Sequence, residues 1–360
     1  EEMRALVGYI SILHPRIVSY DIGQEEISKL SGVALLEEVL ILGGHSIFPQ
    51  SSESQNSLCK AIGEWAVQNF EEGDFAVRTR KIGELPDTIS SRSFKDKVGG
   101  AVSSSGIRVN LESPSNEIVI IIAGSNDGDT HPEPFEFGET MVVWGLRVKD
   151  WSKESFSGRS PTERPYFKPI SLEPRQARLL ISLSRVPNRE IKAVVDPFCG
   201  TGGIAIEAAL QNIRALASDL DSRMVEGTKE NLKWLGKECV VKKWDASDLS
   251  TLWGEREGCS FVFDPPYGRS SWRSVDSLDI FLSVLKEAKK IDVEGVVSTM
   301  LPAGPEALNS GNNDDIIVMG KKWSELLSII QEIGWNVHLF CPARVHRSLV
   351  RAIVVCHPAD

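Results

Sequence analysis

The sequence predicts an α/β protein: a doubly wound, mostly parallel sheet with a C-terminal antiparallel pair, preceded by smaller α+β segments. Three observations predict it. From residue 176 onward, strand-like apolar runs alternate with helix-periodic segments, the pattern of a parallel sheet covered by helices on both faces. The glycine-rich turn DPFCGTGG at 196–203 joins the strand-like IKAVVD to the helix-like GGIAIEAALQ. The last two strand-like runs, WNVHLFCPA and LVRAIVVCH, have only RVHRS between them, which suits a hairpin.

At 360 residues the chain is too long for one typical core. Residues 1–55 read as a small α/β unit, with RALVGYIS and VALLEEVLILGG on either side of the polar stretch SYDIGQEEISKLSG. SSESQN at 51–56 opens a loop or helix, and LCKAIGEWAVQNF places apolar side chains at 58, 62, 65, 66 and 70, a helical spacing. FAVRTRKIG at 75–83 predicts a strand with Arg78 and Arg80 on one face, and SFKDKVGGAVSSSG predicts a helix with a glycine-rich end. IRVNLESP and EIVIIIAG predict a strand pair joined by a Pro-Ser-Asn turn, which sets Arg108 beside Arg78 and Arg80. These elements fill residues 56–150. The stretch from Trp144 to Pro174, rich in Pro, Ser, Arg and Lys, marks a linker assigned to 151–175, and the last domain is 176–360.

Composition removes several function classes. With 41% apolar and 25% charged residues the chain is neither disordered nor fibrous. Its longest apolar run, Ile118 to Ala123, is far too short to span a membrane. EEMRALVGYI lacks a basic segment followed by a signal-type apolar stretch, so a cytoplasmic location is expected. Six cysteines, at 59, 199, 239, 259, 341 and 356, show no CxxC pair, and the histidines at 14, 45, 131, 338, 346 and 357 do not cluster. No metal is expected. Ser182, Ser184 and the serines at 103–105 lack a nucleophile-elbow context. The net charge of −10 hides a division: residues 74–108 balance at +3 and 144–189 at +6, leaving −19 elsewhere. The two basic stretches would suit RNA if they share a surface; otherwise they solvate it.

The chemistry concentrates in CSFVFDPPYGRSS. An apolar strand ends there in Asp264, Pro265, Pro266 and Tyr267, followed by Arg269. An amine conjugated to a nucleobase is a poor nucleophile because its lone pair is delocalised. The Asp264 carboxylate and the Pro265 carbonyl can each accept one N–H and turn the lone pair outward, while Tyr267 stacks on the ring. The residues therefore point to N-methylation of a nucleobase. In VVDPFCGTGGIAIEAAL, glycines 200, 202 and 203 let the backbone approach a ligand, and neither GxGxxG nor GKS/T follows. Asp196, Asp219, Asp245 and Asp264 follow four successive strands and so converge on the carboxyl edge, where such sheets bind ligands. Each alone is weak evidence, because Asp is common at strand ends as a helix cap. Asp219 suits ribose hydroxyls and Asp245 an adenine amino group. The rings of Trp65, Phe70, Trp144 and Phe156 read as packing residues.

DPFCGTGG followed by DPPYG resembles the Rossmann-fold S-adenosylmethionine-dependent methyltransferases of exocyclic amines. More narrowly, RPYFKPISLEPRQARLLISLS, VVDPFCGTGGIAIEA, ASDLDSRMVEG and DPPYGRSS resemble the archaeal tRNA guanine-10 N2-methyltransferases. The resemblance implies a ferredoxin-like domain at 1–55, a THUMP RNA-binding domain at 56–150, the linker, and a catalytic domain at 176–360. It implies S-adenosylmethionine as cofactor, tRNA as partner and, as in some relatives, a small activating subunit. Asp264, Pro265, Pro266 and Tyr267 would be catalytic. Asp196, Pro197, Cys199, Gly200, Thr201, Gly202, Asp219, Leu220, Asp245, Ala246 and Asp264 would bind cofactor. Arg78, Arg80, Arg108, Arg164, Lys168 and Arg269 would meet RNA. Ile170 stands where the linker motif has glycine. Guanine-6 of tRNA, ribosomal RNA, DNA amino-methylation and a silent RNA-binding scaffold are the alternatives. The loop NSGNNDD at 309–315 is expected on the ligand edge.

Overall fold

The computed structural model describes the chain except residues 22, 24–26, 28–29, 125–139, 150, 170, 267–274, 309–315, 347–348 and 360. Two compact units emerge: Tyr9–Ser31 with Leu36–Lys153, and Glu1–Gly8 with Gly32–Leu35 and Glu154–Asp360. Helix α1 (Glu2–Val7) opens the second of these.

In the N-terminal unit, β1 (Ser11–His14) and β2 (Ile17–Ser19) pair antiparallel. A four-stranded sheet follows, built from β3 (Leu40–Ile47), β4 (Phe75–Ile82), β5 (Asn116–Ala123) and β6 (Met141–Arg147) in the order β3-β6-β5-β4. Two helices, α2 (Ser52–Asn69) and α3 (Ser91–Ser103), add Cys59, Ile62, Ala66, Phe94, Val98 and Val102 to its core. Ser51 caps α2 by accepting from the Ser54 N–H, so SSESQN is a helix start.

Residues 107–114 depart from expectation. They form no strand, only a single bridge between Val109 and Phe75. The Asn110 carboxamide accepts the N–H groups of Glu112 and Ser113, and Asp74 accepts that of Ser115, so local side-chain bonds displace a ladder. Arg108 therefore does not share a strand face with Arg78 and Arg80. Those two are committed elsewhere: Arg78 pairs with Glu117 at 2.9 Å and Arg80 with Glu38 at 3.4 Å, while Arg147 bridges both glutamates.

The C-terminal unit continues with α4 (Pro174–Leu183), β7 (Ala193–Asp196), α5 (Gly203–Leu210), β8 (Arg214–Asp219), α6 (Ser222–Trp234), β9 (Val240–Lys243), α7 (Leu249–Trp253) and β10 (Cys259–Phe263). Then come α8 (Val275–Ile291), β11 (Val296–Ala303), β12 (Ile317–Val318), β13 (Lys321–Lys322), α9 (Trp323–Glu332), β14 (Trp335–His346) and β15 (Leu349–Pro358). The sheet runs β13-β12-β11-β10-β7-β8-β9, with β15 antiparallel to both β11 and β14. Its central strands alternate between two cores. Val195, Phe261 and Phe263 face α7, α8 and α9, whereas Val194 and Val262 face α4, α5 and α6.

The stretch expected as a linker is instead built into this unit. Glu207 of α5 is fully buried and pairs with Arg159 at 2.7 Å and Arg178 at 2.8 Å, and both guanidiniums lie over the Phe156 ring. A charge in the core needs such partners, so 154–164 cannot lift away without taking Arg159 from Glu207. Residues 1–8 and 32–35 are held likewise. The Glu2 carboxylate accepts the N–H groups of Ala34 at 2.6 Å and Leu35 at 2.8 Å, and Arg178 donates to the Gly32 carbonyl. The expected division at 55/56 thus falls inside the N-terminal unit. Among the described residues no helix is long and apolar enough to cross a membrane.

Candidate active site

In the order β9-β8-β7-β10-β11 the chain winds outward in one direction from β7 and in the other from β10. Loops leaving these two neighbours turn apart, and the crevice at their carboxyl ends is where such sheets take ligands. Asp196 ends β7, and Asp264 directly follows Phe263 of β10. A cavity of about 610 Å3 opens there, lined by both aspartates together with Asp219 and Asp245. All four carboxylates singled out at strand ends share this one site.

The turn from β7 into α5 holds its shape through Gly200 (φ 53°) and Gly202 (φ 87°), a left-handed backbone that side chains resist. Asp219 pins the turn from the next strand, accepting the Gly200 N–H at 3.0 Å on one oxygen and the Asp221 N–H at 2.9 Å on the other. Pro197, Cys199, Gly200, Thr201, Leu220 and Ala246 all line the cavity. Gly202 does not; it backs onto α6, where a Cβ would come within 2.9 Å of the Thr228 methyl. Asp245 accepts from the Ser247 N–H and hydroxyl on the same oxygen, and these bonds hold its carboxyl below the usual range.

Asp264 is the least satisfied group in the cavity. Its side chain is 15% exposed, one oxygen takes an Arg351 N–H at 3.2 Å, and Oδ1 is buried with no hydrogen-bond partner among the described residues. Burial pushes its carboxyl up to about 6, against the opposing pull of Arg351. Asp196, 2% exposed, is raised well above the ordinary value by burial and by the charges of Asp219 and Asp264. The Cys199 thiol is likewise pushed far up by burial, so it is inert. Pro265 and Pro266 line the cavity beside Asp264; Tyr267 and Arg269 lie outside the described residues, as do Ile170 and the 309–315 loop.

Sequence reasoning missed two components. Arg351 arrives from β15, and no spacing near DPPY announces it. The other is a strap formed by residues 164–169 with 171 and 172. The backbone of Tyr166 makes two hydrogen bonds to the Asn231 side chain, which also donates to the Thr201 carbonyl, and the Thr201 hydroxyl donates to Ser171. Lys168, Ser171 and Leu172 thereby become cavity wall. Arg164, expected at RNA, is only 4% exposed, so it cannot reach a surface ligand in this fold. A second concavity of about 720 Å3 lies around Arg189, Arg256, Lys289 and Asp292, with charges of both signs, Arg189 being paired to Asp292. Among the described residues no cluster of His, Cys, Asp or Glu is arranged to hold a metal.

A doubly wound sheet with a glycine turn, converging strand-end aspartates and a Pro-Pro edge defines a Rossmann-fold, S-adenosylmethionine-dependent methyltransferase. The family model "RMKL-like, methyltransferase domain" matches residues 161–310. The tRNA (guanine(10)-N2)-dimethyltransferase of Methanothermobacter thermautotrophicus is 33% identical over 81% of this chain and 75% of its own length. That of Pyrococcus abyssi is 27% identical over 84% of this chain and 85% of its own. The chain belongs to the tRNA (guanine(10)-N2)-dimethyltransferase family. The crystal structure of TrmN from Thermus thermophilus shares 18% identity over 95% of this chain and 88% of its own, with a TM-score of 0.46, a likeness too slight to add to the assignment.

Proposed function

We propose that the protein transfers methyl groups from S-adenosylmethionine to the exocyclic N2 amine of guanine 10 in tRNA, giving N2-methyl- and N2,N2-dimethylguanosine. The observation that carries this reading is the buried Oδ1 of Asp264 at the switch-point cavity, without a hydrogen-bond partner among the described residues. A buried acceptor without a donor costs about 1–3 kcal/mol and is retained where a ligand supplies the donor.

The cavity suits the cofactor electrostatically. It gathers five aspartates (196, 219, 221, 245 and 264) against Lys168 and Arg351, a surplus that favours a ligand carrying both a sulfonium and an ammonium. When bound, S-adenosylmethionine supplies an electrophilic methyl that needs no further activation. We assign Asp219 to the ribose hydroxyls, Asp245, Leu220 and Ala246 to the adenine, and Asp196 with Pro197, Cys199, Gly200 and Thr201 to the methionine end. Asp264 Oδ1 and the Pro265 carbonyl accept the two N–H groups of the guanine amine, which turns its lone pair outward and fixes its approach. Guanine N2 lies in the minor groove of a stem, so the base must leave its stack to reach this pocket. Tyr267 is proposed as its stacking partner.

We further propose that residues 56–150 act as the RNA-binding part, through cations other than those first singled out. Arg78 and Arg80 are neutralised by glutamates, whereas Lys81, Arg92 and Lys95 form no ion pair among the described residues.

The test is mass spectrometry of an unmodified tRNA transcript after incubation with the purified chain and labelled donor. Methyl on N2 of guanine 10 is expected, lost in Asp264→Ala while calorimetry still finds cofactor binding. Label on another nucleotide, or activity retained by Asp264→Ala, refutes the assignment. Full turnover by the chain alone removes the expectation of an activating subunit. Arg92→Glu with Lys95→Glu is expected to weaken tRNA binding more than Arg78→Ala with Arg80→Ala.

A further inference from the structure

Strand β15 runs antiparallel beside β11 and places Arg351 opposite Pro302, at the cavity edge. Its guanidinium meets only one oxygen of Asp264, Oδ2, at 3.2 Å, and both side chains are nearly enclosed, 12% and 15% exposed. The other oxygen is left without a partner among the described residues. The carboxylate is thus divided into an anchored and a working oxygen.

We propose that Arg351 is a positioning residue for methyl transfer: it anchors Oδ2 of Asp264 and keeps the carboxylate ionised, so that Oδ1 faces the substrate amine as an acceptor. The inference rests on the reading of Asp264 as the amine-holding group. The geometry makes the charge state decisive. A protonated Asp264 carries an O–H that points a donor at another donor and cannot hold the amine. Around Asp264, β7 contributes Asp196, whose negative charge opposes ionisation, and α8 contributes the apolar Ile280, with Asp279 exposed. Arg351 is the cation set against this, and burial still leaves the carboxyl near 6 with that help. Removing an opposite charge at such range typically moves a carboxyl upward by about 1–3 pH units.

The experiment is the single-turnover rate of methyl transfer to tRNA as a function of pH, for the intact chain and for Arg351→Met, Arg351→Lys and Asp264→Ala, with cofactor affinity measured in parallel. In the unaltered protein the acid limb is expected near pH 6. In Arg351→Met it is expected about 1–3 pH units higher, with a rate loss at pH 7 of about twofold for a one-unit shift and about tenfold for two, recovering as pH rises past the displaced limb. Arg351→Lys, which keeps a cation, is expected to restore the limb, and every variant is expected still to bind cofactor at pH 9. An unmoved limb, or a loss of equal size at every pH, overturns the proposal, because a merely structural arginine would act that way. If Arg351→Met does not fold, Arg351→Gln carries the same comparison. Activity in Asp264→Ala sinks the underlying reading; an inactive Asp264→Ala beside an unmoved limb sinks only the role of Arg351.

Discussion

Replacing Asp264 by asparagine is expected to stabilise the ligand-free protein while abolishing its activity. The neutral amide stands in for protonated Asp264, so the stability difference at neutral pH measures the cost of ionising the carboxyl in place. Burial moves that carboxyl from the usual 3.8 to about 6, with the attraction of Arg351 already included. The displacement corresponds to about 3 kcal/mol. A raised carboxyl contributes stability that is complete below pH 3.8 and lost as pH rises through about 6. Asp264→Asn should therefore melt higher than the unaltered protein at pH 8, by roughly 2–4 °C per kcal/mol for a unit of this size. The gap should narrow as pH falls from 6 toward 4. Thermal melting without cofactor, at several pH values, measures it. An equal or lower melting temperature for Asp264→Asn at pH 8, or a gap that ignores pH, would show that desolvation does not govern this carboxylate.

Three further perturbations test the surrounding architecture. Glu207→Gln leaves Arg159 and Arg178 with Glu154 as their one remaining carboxylate among the described residues and is expected to cost about 1–3 kcal/mol, read by denaturant unfolding; no measurable loss would mean the 154–164 segment is not held by this cluster. Gly227→Ala sets a Cβ 2.0 Å from the Tyr166 ring, so it should displace the strap and weaken cofactor binding, and Tyr166→Ala in the same chain should restore part of it by calorimetry. Cofactor affinity itself should fall as pH drops through about 6, because protonating Asp264 removes a negative charge that attracts the donor's cations; an affinity flat between pH 5 and 8 contradicts the electrostatic fit.

The catalytic half was legible in the sequence because its signals are local. Strands β7 and β10 declare themselves as short apolar runs, the glycine turn lies directly between strand and helix, and the four aspartates need only strand order to meet. Arg351 was not legible, because its place depends on how the terminal hairpin registers against β11, a non-local fact. The 151–175 stretch misled for a chemical reason. Its prolines, serines and basic residues read as exposed chain, yet Arg159 is drawn inward by Glu207, a carboxylate hidden within the apolar helix GIAIEAAL. Arg164 is buried as well, with its Nε donating to the Arg159 carbonyl. IRVNLESP has strand-like composition, but Asn110 captures its backbone donors before a ladder can.

These outcomes share one physical theme. Four carboxylates crowd the open end of a parallel sheet, and Asp196, Asp219 and Asp264 are each raised by burial, so the ligand-free fold holds negative charge in a place that disfavours it. Arg351 offsets a part of this at one oxygen of Asp264. A ligand bearing two positive charges offsets far more, which makes the site's instability the source of its affinity. The same crowding explains why the strap matters. Water admitted through a displaced strap would relax every carboxylate at once, restoring ordinary acidity and weakening the attraction together. Asp264→Asn and Gly227→Ala should accordingly both lower cofactor affinity while moving stability in opposite directions, the first raising it by neutralising the buried charge, the second lowering it through the clash with Tyr166.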